Sequence, residues 1–296
     1  MAIGIFDGVH RGHQAILRTA QKEARRLRAA PAALTFPAHP SRVLNPGRPV
    51  PLLQSFEQRC DWIRRYGINW IFPLHFTKSL SKLTPAEFVD RLLFRKWNLR
   101  GVVVGRDFRF GHRRAGTVRT LRDLLARRDA QVFSVDPVRC GGGVAQSTAV
   151  RRLLQAGRLP DAVRMLGHPF ELAGRVVKGA GMGRRLGART INLRLESNLM
   201  PRHGVYAGWL RPARGSKRPI VMNLGVAPTV HRGRGVRLET HVLDGRPVGF
   251  RPGIRLTVEV ARFLRPERKF SSLAALRRAI QRDIRRAKKE MRNKRD

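Results

Sequence analysis

Two histidines stand where the first apolar segment of the chain passes into a helix. His10 and His13 are three residues apart, a spacing that brings side chains to one face of a helical turn. The same turn carries Gly8 and Gly12, which let backbone approach an anion closely, and a helix N-terminus offers free N–H groups to phosphate. Two imidazoles beside a phosphate stabilise charge that builds up during transfer. The pattern therefore predicts a phosphorus-transfer site, against the alternative of two surface histidines on a turn.

A second anion site is predicted near the middle of the chain. Ser147 and Thr148 start a helical segment, so hydroxyl and backbone N–H groups converge there, and Arg151 follows one turn later. Taken alone, the two hydroxyl residues are better explained as an ordinary helix cap.

A third segment, Gly174–Gly187, is rich in glycine and basic residues and suits a loop that wraps phosphates, although it lacks the ending of a Walker motif.

The elements that position these residues change character along the chain. The first half alternates apolar runs with amphipathic helical segments, which is typical of βαβ units and predicts a parallel sheet. Ligands of such sheets bind where strands end and helices begin, which is where the two histidines lie. The expected strands are Ala2–Phe6, Ala32–Phe36, Trp70–Leu74, Gly101–Gly105 and Gln131–Val135.

The second half has a different pattern, with short alternating strands separated by glycine and proline turns. This predicts an antiparallel sheet or barrel. A basic amphipathic helix over Ser272–Lys289 closes the chain. We therefore expect a boundary near residue 168, with one domain over 1–168 and a second over 169–296. The expected strands are Glu171–Lys178, Gly204–Leu210, Pro219–Leu224, Leu238–Leu243 and Ile254–Phe263.

The histidine segment resembles the nucleotidylyltransferase superfamily, which is marked by an H-x-G-H motif after the first strand. The longer string Gly4–His13 is similar to one branch, the prokaryotic bifunctional riboflavin kinase/FMN adenylyltransferases. Further segments resemble that family in the same order. They are Thr35–Pro40, with Ala38 in place of a proline, then Gly105–Gly111, and finally Ser147–Arg151, preceded by Ala145 and Gln146 in place of the family's isoleucine and serine.

The resemblance implies a Rossmann-like N-terminal domain that adenylylates FMN to FAD with ATP. It implies catalytic roles for His10, His13 and Arg151. It also implies that Mg²⁺ neutralises the triphosphate. ATP would be bound by Phe6, Asp7, Gly8, Gly12, Ser147 and Thr148, and the flavin by Phe36, His39, Asp107 and Phe108.

The second half resembles the riboflavin kinase domain, in the segments Gly174–Leu193, Pro201–Ala207, Asn223–Thr229, Glu239–Asp244 and Phe263–Phe270. The resemblance implies a six-stranded antiparallel barrel with a C-terminal helix, which phosphorylates riboflavin to FMN. It implies that Glu239 is the general base and that Thr190 and Asn192 are the Mg²⁺–ATP ligands. ATP would be held by Gly179, Gly181, Gly183 and Arg184.

One departure bears on the kinase activity. The family's P-T-A-N motif is here Arg189-Thr190-Ile191-Asn192, so a proline that fixes φ is lost. We expect a slow kinase. The alternative enzyme hypothesis is that only one of the two activities is retained.

The charge raises an alternative from another class of protein. Lysine and arginine number 61 against 20 acidic residues, a formal net charge of +41. The basic residues run from Arg11 to Arg295, which favours compositional bias over a dedicated nucleic-acid site. We expect non-specific binding of polyanions and no specific nucleic acid. The rival hypothesis is a basic nucleic-acid-binding protein on the same scaffold.

Apolar patterning and cysteine usage limit the location. No run of about 18 apolar residues occurs, so no membrane span is expected. Two cysteines, Cys60 and Cys140, cannot form a disulfide framework, and a reducing cytoplasmic location is expected.

Overall fold

The chain divides into two compact units, described from a computed structural model. The structure describes residues 1–95, 97, 99–178, 190–196, 199–212, 215–226, 236–245 and 250–292. One unit comprises Met1–Ala149 with Met165–Gly167, and the other comprises Val150–Arg164 with His168–Asp296.

The first unit is built on a five-stranded parallel sheet, which confirms the α/β prediction for this half. The strand order is β3-β2-β1-β4-β5, so the direction of winding reverses at the first strand. Parallel pairing joins every neighbouring pair of strands. The strands are β1 (Ala2–Ile3), β2 (Ala32–Thr35), β3 (Trp70–Pro73), β4 (Gly101–Gly105) and β5 (Gln131–Val135).

Helices follow the strands as the alternating pattern predicts. The bounds are α1 (Arg11–Arg26), α2 (Ser41–Leu44), α3 (Phe56–Arg64), α4 (Pro85–Phe88), α5 (Val118–Ala126), α6 (Ser147–Gln155) and α7 (Leu159–Leu166). Helix α4 continues as a π-helix over Val89–Phe94, and 3-10 turns cover Leu80–Lys82 and His112–Arg114. The glycine run after β5 forms a tight hairpin between β6 (Arg139–Cys140) and β7 (Gly143–Val144).

The central strands β1, β2 and β4 of the parallel sheet are buried on both faces, which explains their continuous apolar sequences. Successive residues of β4 point to opposite faces. Val103 packs with Leu17 of α1 and Ile63 of α3 on one side. Val102 and Val104 pack with the apolar side of α5 on the other.

The second unit contains a closed six-stranded antiparallel barrel, as the resemblance implied. Its circular order is β10-β11-β12-β9-β8-β13. The strands are β8 (Phe170–Val177), β9 (Thr190–Leu195), β10 (Gly204–Arg211), β11 (Arg218–Val226), β12 (Val236–Val242) and β13 (Arg255–Pro266). Strand β9 was not among the strands expected from alternation, although it carries two of the candidate kinase residues.

The last helix, α8 (Leu273–Arg292), covers part of the outer surface of the barrel. Ile284, Ala287 and Met291 pack against Val205 and Val221 of the barrel wall. Asp283 on the same face accepts hydrogen bonds from the Arg265 guanidinium at 2.7–3.1 Å. The amphipathic pattern therefore corresponds to an interface over the later part of the helix, whereas Leu273 at its start is 68% exposed.

Candidate active site

The turn between β1 and α1, residues 4–10, lies where the winding of the sheet reverses. We call it the histidine turn, because it ends at His10 and leads directly to His13. Strand β1 has β2 on one side and β4 on the other, and in open α/β sheets ligands bind beyond the carboxyl ends of the strands at such a reversal. The turn has unusual backbone geometry, since Phe6 (φ 52°), Gly8 (φ 82°) and Val9 (φ 36°) all have positive φ. Non-glycine residues adopt such angles only where the surrounding structure holds them.

His10 and His13 are brought together as the spacing predicted. Their rings stack with centroids 3.7 Å apart and an interplanar angle of 25°. His10 is the N-cap of α1, and its Nδ1 atom accepts a hydrogen bond from the His13 backbone N–H at 3.4 Å. Phe6 packs edge-on against the His13 ring at 5.3 Å. The two imidazoles and the N-terminus of α1 therefore share one small region.

His13 is held in its neutral form. Burial lowers its pKa well below the ordinary value of 6.5, and the nearby charges of His10 and Arg59 lower it further. Its Nδ1 atom is buried and has no hydrogen-bond partner in the described part of the chain. A neutral imidazole has one N–H donor and one acceptor, so His13 offers a hydrogen bond rather than a full charge.

Asp7 faces the protein interior. Its side chain is 1% exposed, and its carboxylate accepts hydrogen bonds from the backbone N–H groups of Leu53, at 2.9 and 3.1 Å, and Gln54, at 3.3 Å. The Asp7 carbonyl accepts a hydrogen bond from the Ser147 hydroxyl at 2.8 Å. In this structure Asp7 therefore fixes the shape of the turn.

Two glycines of the turn are packed against protein atoms. A Cβ atom on Gly8 would lie 2.6 Å from Cδ1 of Leu53. A Cβ atom on Gly12 would lie 3.1 Å from the Ala145 carbonyl oxygen and 3.2 Å from the His10 ring. These glycines therefore permit close packing around the histidines.

The second predicted anion segment begins at the same turn. Ser147 starts α6, and its hydroxyl bond to Asp7 ties this helix N-terminus to the histidine turn. Thr148 is the next residue of the helix. Arg151 lies one turn further along α6, in the part of that helix that is grouped with the second unit.

The candidate flavin residues flank the histidine turn on two neighbouring strands. Phe36 and His39 follow β2, where Phe36 packs against Phe76 at 6.0 Å and His39 Nδ1 accepts the Ser41 backbone N–H at 3.1 Å. Asp107 and Phe108 follow β4. Asp107 is exposed, and the Phe108 ring stacks on Phe110 at 5.6 Å.

The barrel brings a second set of polar residues into one row. Glu239 of β12 lies directly opposite Asn192 of β9 and, on its other side, opposite Asn223 of β11. Residues paired in this way have side chains on the same face of a sheet. Glu239 is exposed, whereas the neighbouring Leu238 and Thr240 are buried, so the row lies on the outer surface of the barrel. Thr190 lies on the same face, two residues before Asn192.

Comparison with known proteins gives each unit a family. The FAD synthetase family model matches residues 1–149, and the riboflavin kinase family model matches residues 166–291. The chain belongs to the bifunctional riboflavin kinase/FMN adenylyltransferase family. It is 36% identical to the family's protein from Pseudomonas fluorescens over 282 residues, covering 95% of this chain and 89% of that protein. It is 33% identical to the Escherichia coli K12 protein, covering 96% of this chain and 90% of the other.

The fold of this family also appears among solved structures. A crystal structure named as a macrolide-efflux protein from Streptococcus pneumoniae superposes with a TM-score of 0.83 and 28% sequence identity. The match covers 95% of this chain and 91% of that one. Within the described residues of the present chain, no helix is long and apolar enough to cross a membrane.

One buried residue that contacts the histidine turn was missed by the sequence analysis. Arg59 of α3 is fully buried and hydrogen-bonds to backbone carbonyl groups at the ends of β1 and β2. A signal was present, because Arg59 shares a helix face with Phe56, Trp62 and Ile63, at spacings of three and four residues. An arginine on the apolar face of a helix predicts that its guanidinium is buried in the folded protein.

Some predicted kinase residues cannot be compared with the structure. Gly179, Gly181, Gly183 and Arg184, which the resemblance implies for ATP binding, lie outside the described residues, as does Arg189.

Proposed function

We propose that this chain makes FAD from riboflavin in two steps at two sites. The barrel unit transfers the γ-phosphate of ATP to riboflavin, giving FMN and ADP. The α/β unit transfers the adenylyl group of a second ATP to FMN, giving FAD and diphosphate. The family matches to both halves support the pair of activities. We propose that residues 1–168 carry the adenylyltransferase and residues 169–296 the kinase.

The adenylyl transfer needs positioning and charge stabilisation more than covalent chemistry. A phosphate oxygen of FMN attacks the α-phosphorus of ATP, and the bond from that phosphorus to the bridging oxygen of the leaving diphosphate breaks. His10 and His13 stabilise the charge that develops on the phosphoryl oxygens. The stacked pair supports this role, since both rings lie at the N-terminus of α1, the end of a helix that favours negative charge.

The remaining residues of this half bind substrates. Phe6, Asp7, Gly8 and Gly12 shape the turn that receives ATP, and Ser147 and Thr148 add the N-terminus of α6. Arg151 binds the departing phosphates. On the flanking strands, Phe36, His39, Asp107 and Phe108 bind the flavin, and their positions after β2 and β4 support this assignment.

In the barrel unit, Glu239 accepts the proton of the riboflavin 5′-hydroxyl while that oxygen attacks the γ-phosphorus, and ADP leaves. The placement of Glu239 on an exposed strand face supports its access to a substrate. Gly179, Gly181, Gly183 and Arg184 bind the phosphates of ATP.

Mg²⁺ fits the donor atoms on the outer barrel face. Thr190 and Asn192 supply a hydroxyl and an amide oxygen, which suit a hard cation. No group of three or more His, Cys, Asp or Glu side chains in the described part of the chain is placed to hold a metal. The ion would therefore be held by these few ligands together with substrate phosphates. When bound, it neutralises charge on the triphosphate.

Two further proposals concern the surroundings of the enzyme. We place it in the cytoplasm, a location supported by the absence of a disulfide between Cys60 and Cys140.

We also propose that the protein binds polyanions without sequence preference. The exposed face of α8 supports this proposal, because its cations are not matched by acids on the same face.

The observation that carries the main proposal is that each half brings its own motif residues together: His10 with His13, and Asn192 with Glu239.

The proposal is tested by supplying purified protein with riboflavin, ATP and Mg²⁺ and then separating the flavins. We expect both FMN and FAD. Accumulation of FMN without FAD would show that only the kinase is active, and FAD formed from added FMN but not from riboflavin would show the reverse. No turnover of any flavin, with salt-sensitive RNA binding, would favour the nucleic-acid-binding alternative.

A further inference from the structure

Arg59 joins the carboxyl ends of β1 and β2, the strands that lead into the histidine turn and into the segment that carries Phe36. It is 0% exposed. Its Nη1 atom donates to the Ile5 carbonyl at 2.7 Å and the Phe36 carbonyl at 2.9 Å, and its Nη2 atom donates to the Pro37 carbonyl at 2.7 Å. The guanidinium fork is planar and its donors are fixed in direction. The three bonds therefore set the distance between the histidine turn and the segment that carries Phe36.

The residues around Arg59 hold the same turn at a second point. Leu53 and Gln54, just before α3, donate their backbone N–H groups to the Asp7 carboxylate. Helix α3 is itself fixed by a capping box between Ser55 and Gln58. The turn is thus bound before and after Phe6, the residue with a φ of 52°. These contacts on both sides of Phe6 stabilise its strained backbone conformation.

Arg59 also places a permanent positive charge behind the histidine pair. A guanidinium remains charged even when burial lowers its pKa, as it does here, and the Asp7 carboxylate acts in the opposite direction to raise it. The charged or titratable groups that act on His13 are His10 and Arg59, and both lower the pKa of its imidazole. The charge of Asp7 faces Arg59 and offsets part of the cost of burying the guanidinium.

We propose that Arg59 is a positioning residue of the adenylyltransferase reaction, which fixes the histidine turn against the flavin segment and holds a cation behind His13. The inference rests on the proposed adenylyl transfer at this turn. Arg59 acts through its hydrogen bonds to the carbonyl groups of Ile5, Phe36 and Pro37. Its positive charge also acts on the imidazole of His13. In this proposal it does not contact the substrate. A loss of Arg59 should therefore change flavin affinity and the pH dependence together.

The test compares Arg59→Met and Arg59→Lys with wild type in the full chain, using FMN and Mg-ATP as substrates over the acidic to neutral range. Arg59→Met should raise the KM for FMN about tenfold, because hydrogen bonds from a charged donor are lost. It should also move the acidic limb of the kcat/KM profile to higher pH. The sign follows from the lost cation, since removing a positive charge raises the pKa of His13 and protonates it at higher pH.

Arg59→Lys separates the two effects. A lysine keeps the charge but cannot reproduce the planar fork, so the KM for FMN should rise while the acidic limb stays at the wild-type pH. Arg64→Met is the matched control, because Arg64 lies on the same helix, is exposed and pairs only with Asp61 among the ion pairs of the described residues. It should leave both quantities unchanged.

The outcomes are decisive even if one variant is unstable. Wild-type KM and pH profile in a folded Arg59→Met protein, judged by near-ultraviolet circular dichroism, would overturn the inference. If Arg59→Met does not fold, an unchanged KM for FMN in Arg59→Lys overturns it instead. His13→Ala keeps this separate from the proposed function: full FAD synthesis in His13→Ala would refute the site itself, whereas an inactive His13→Ala beside normal Arg59 variants would refute only the role of Arg59.

Discussion

Asn192 and Glu239 face each other across the β9–β12 pair, as directly opposed residues on the outer surface of the barrel. An amide oxygen and a carboxylate are thereby held side by side on two strands that closure of the barrel makes neighbours.

We predict that Glu239→Ala abolishes formation of FMN from riboflavin, since no other acid is opposite Asn192. Formation of FAD from added FMN should remain at the wild-type rate, because that reaction uses the other unit. Both steps are measured by chromatographic separation of flavins, and loss of both would contradict the two-site assignment.

The reverse pattern is expected for the histidine pair. His13→Ala removes a ring that stacks on His10 at 3.7 Å and lies beside the helix N-terminus. We predict loss of FAD formation by about a hundredfold or more, the range for removal of one group that stabilises transition-state charge. FMN formation from riboflavin should be unchanged in the same preparation, which also serves as the control for folding of the barrel. A His13→Ala enzyme that still made FAD normally would exclude this ring from the reaction.

Much of the fold follows from local pattern, yet β9 was missed. The first half has apolar runs at regular intervals, and the central strands of its sheet are buried on both faces, so each of these strands is visible on its own. The segment Thr190–Leu195 is short and has polar residues at alternate positions. It becomes a strand because β8 pairs with one of its edges and β12 with the other. The alternation of polar and apolar residues was a local strand signal that was missed, although the resemblance had already singled out Thr190 and Asn192. Only the choice of β8 and β12 as its partners is tertiary information.

The site shows the same division between local and tertiary information. The spacing of His10 and His13 is local, and the structure places the two rings in contact. The inward orientation of Asp7 depends on Leu53 and Gln54, which are far away in sequence. Arg59 was overlooked among 61 basic residues, although its spacing from Phe56, Trp62 and Ile63 placed it on the apolar face of α3. Its burial is a property of the assembled unit.

The backbone of the histidine turn should be intolerant of side chains at Gly8. Gly8 has a φ of 82°, and a Cβ atom there would lie 2.6 Å from Leu53. We predict that Gly8→Ala lowers the free energy of unfolding by about 1–3 kcal/mol, from backbone strain together with the clash. Gly47→Ala is the control, since a Cβ atom at Gly47 would meet nothing within 4 Å. Urea unfolding of both variants tests this, and equal stability of the two would contradict it.

Stability should fall on acidification because of His13. Its folded-state pKa lies well below 6.5, the value expected in the unfolded chain. Below that pH the unfolded chain takes up a proton that the folded protein does not, so unfolding becomes more favourable as the pH falls. The loss is at most about 1.4 kcal/mol per pH unit for one group, down to the folded-state pKa. Urea unfolding just above and well below pH 6.5 should show a smaller loss in His13→Gln than in wild type, and an identical loss would show that His13 is not held neutral.

The basic face of α8 gives the proposal of polyanion binding a location. Its exposed cations fall within about half of the helix circumference at 100° per residue, and the acids Asp283 and Glu290 are paired with Arg265 and Arg262 of the barrel. The face consists of Arg277, Arg278, Arg282, Arg285, Arg286, Lys288, Lys289 and Arg292.

Neutralising part of this face should change the salt dependence of binding to duplex nucleic acid. In a triple variant with Arg282→Gln, Arg285→Gln and Lys289→Gln, the slope of log K against log salt should become shallower by about 2 to 3, since each lost phosphate contact contributes about 0.9. A control with Arg25→Gln, Arg48→Gln and Arg119→Gln removes the same charge from exposed positions of the first unit. The control should change the slope less. Equal changes would show that binding follows the total charge of the chain and has no preferred surface, as compositional bias alone would produce.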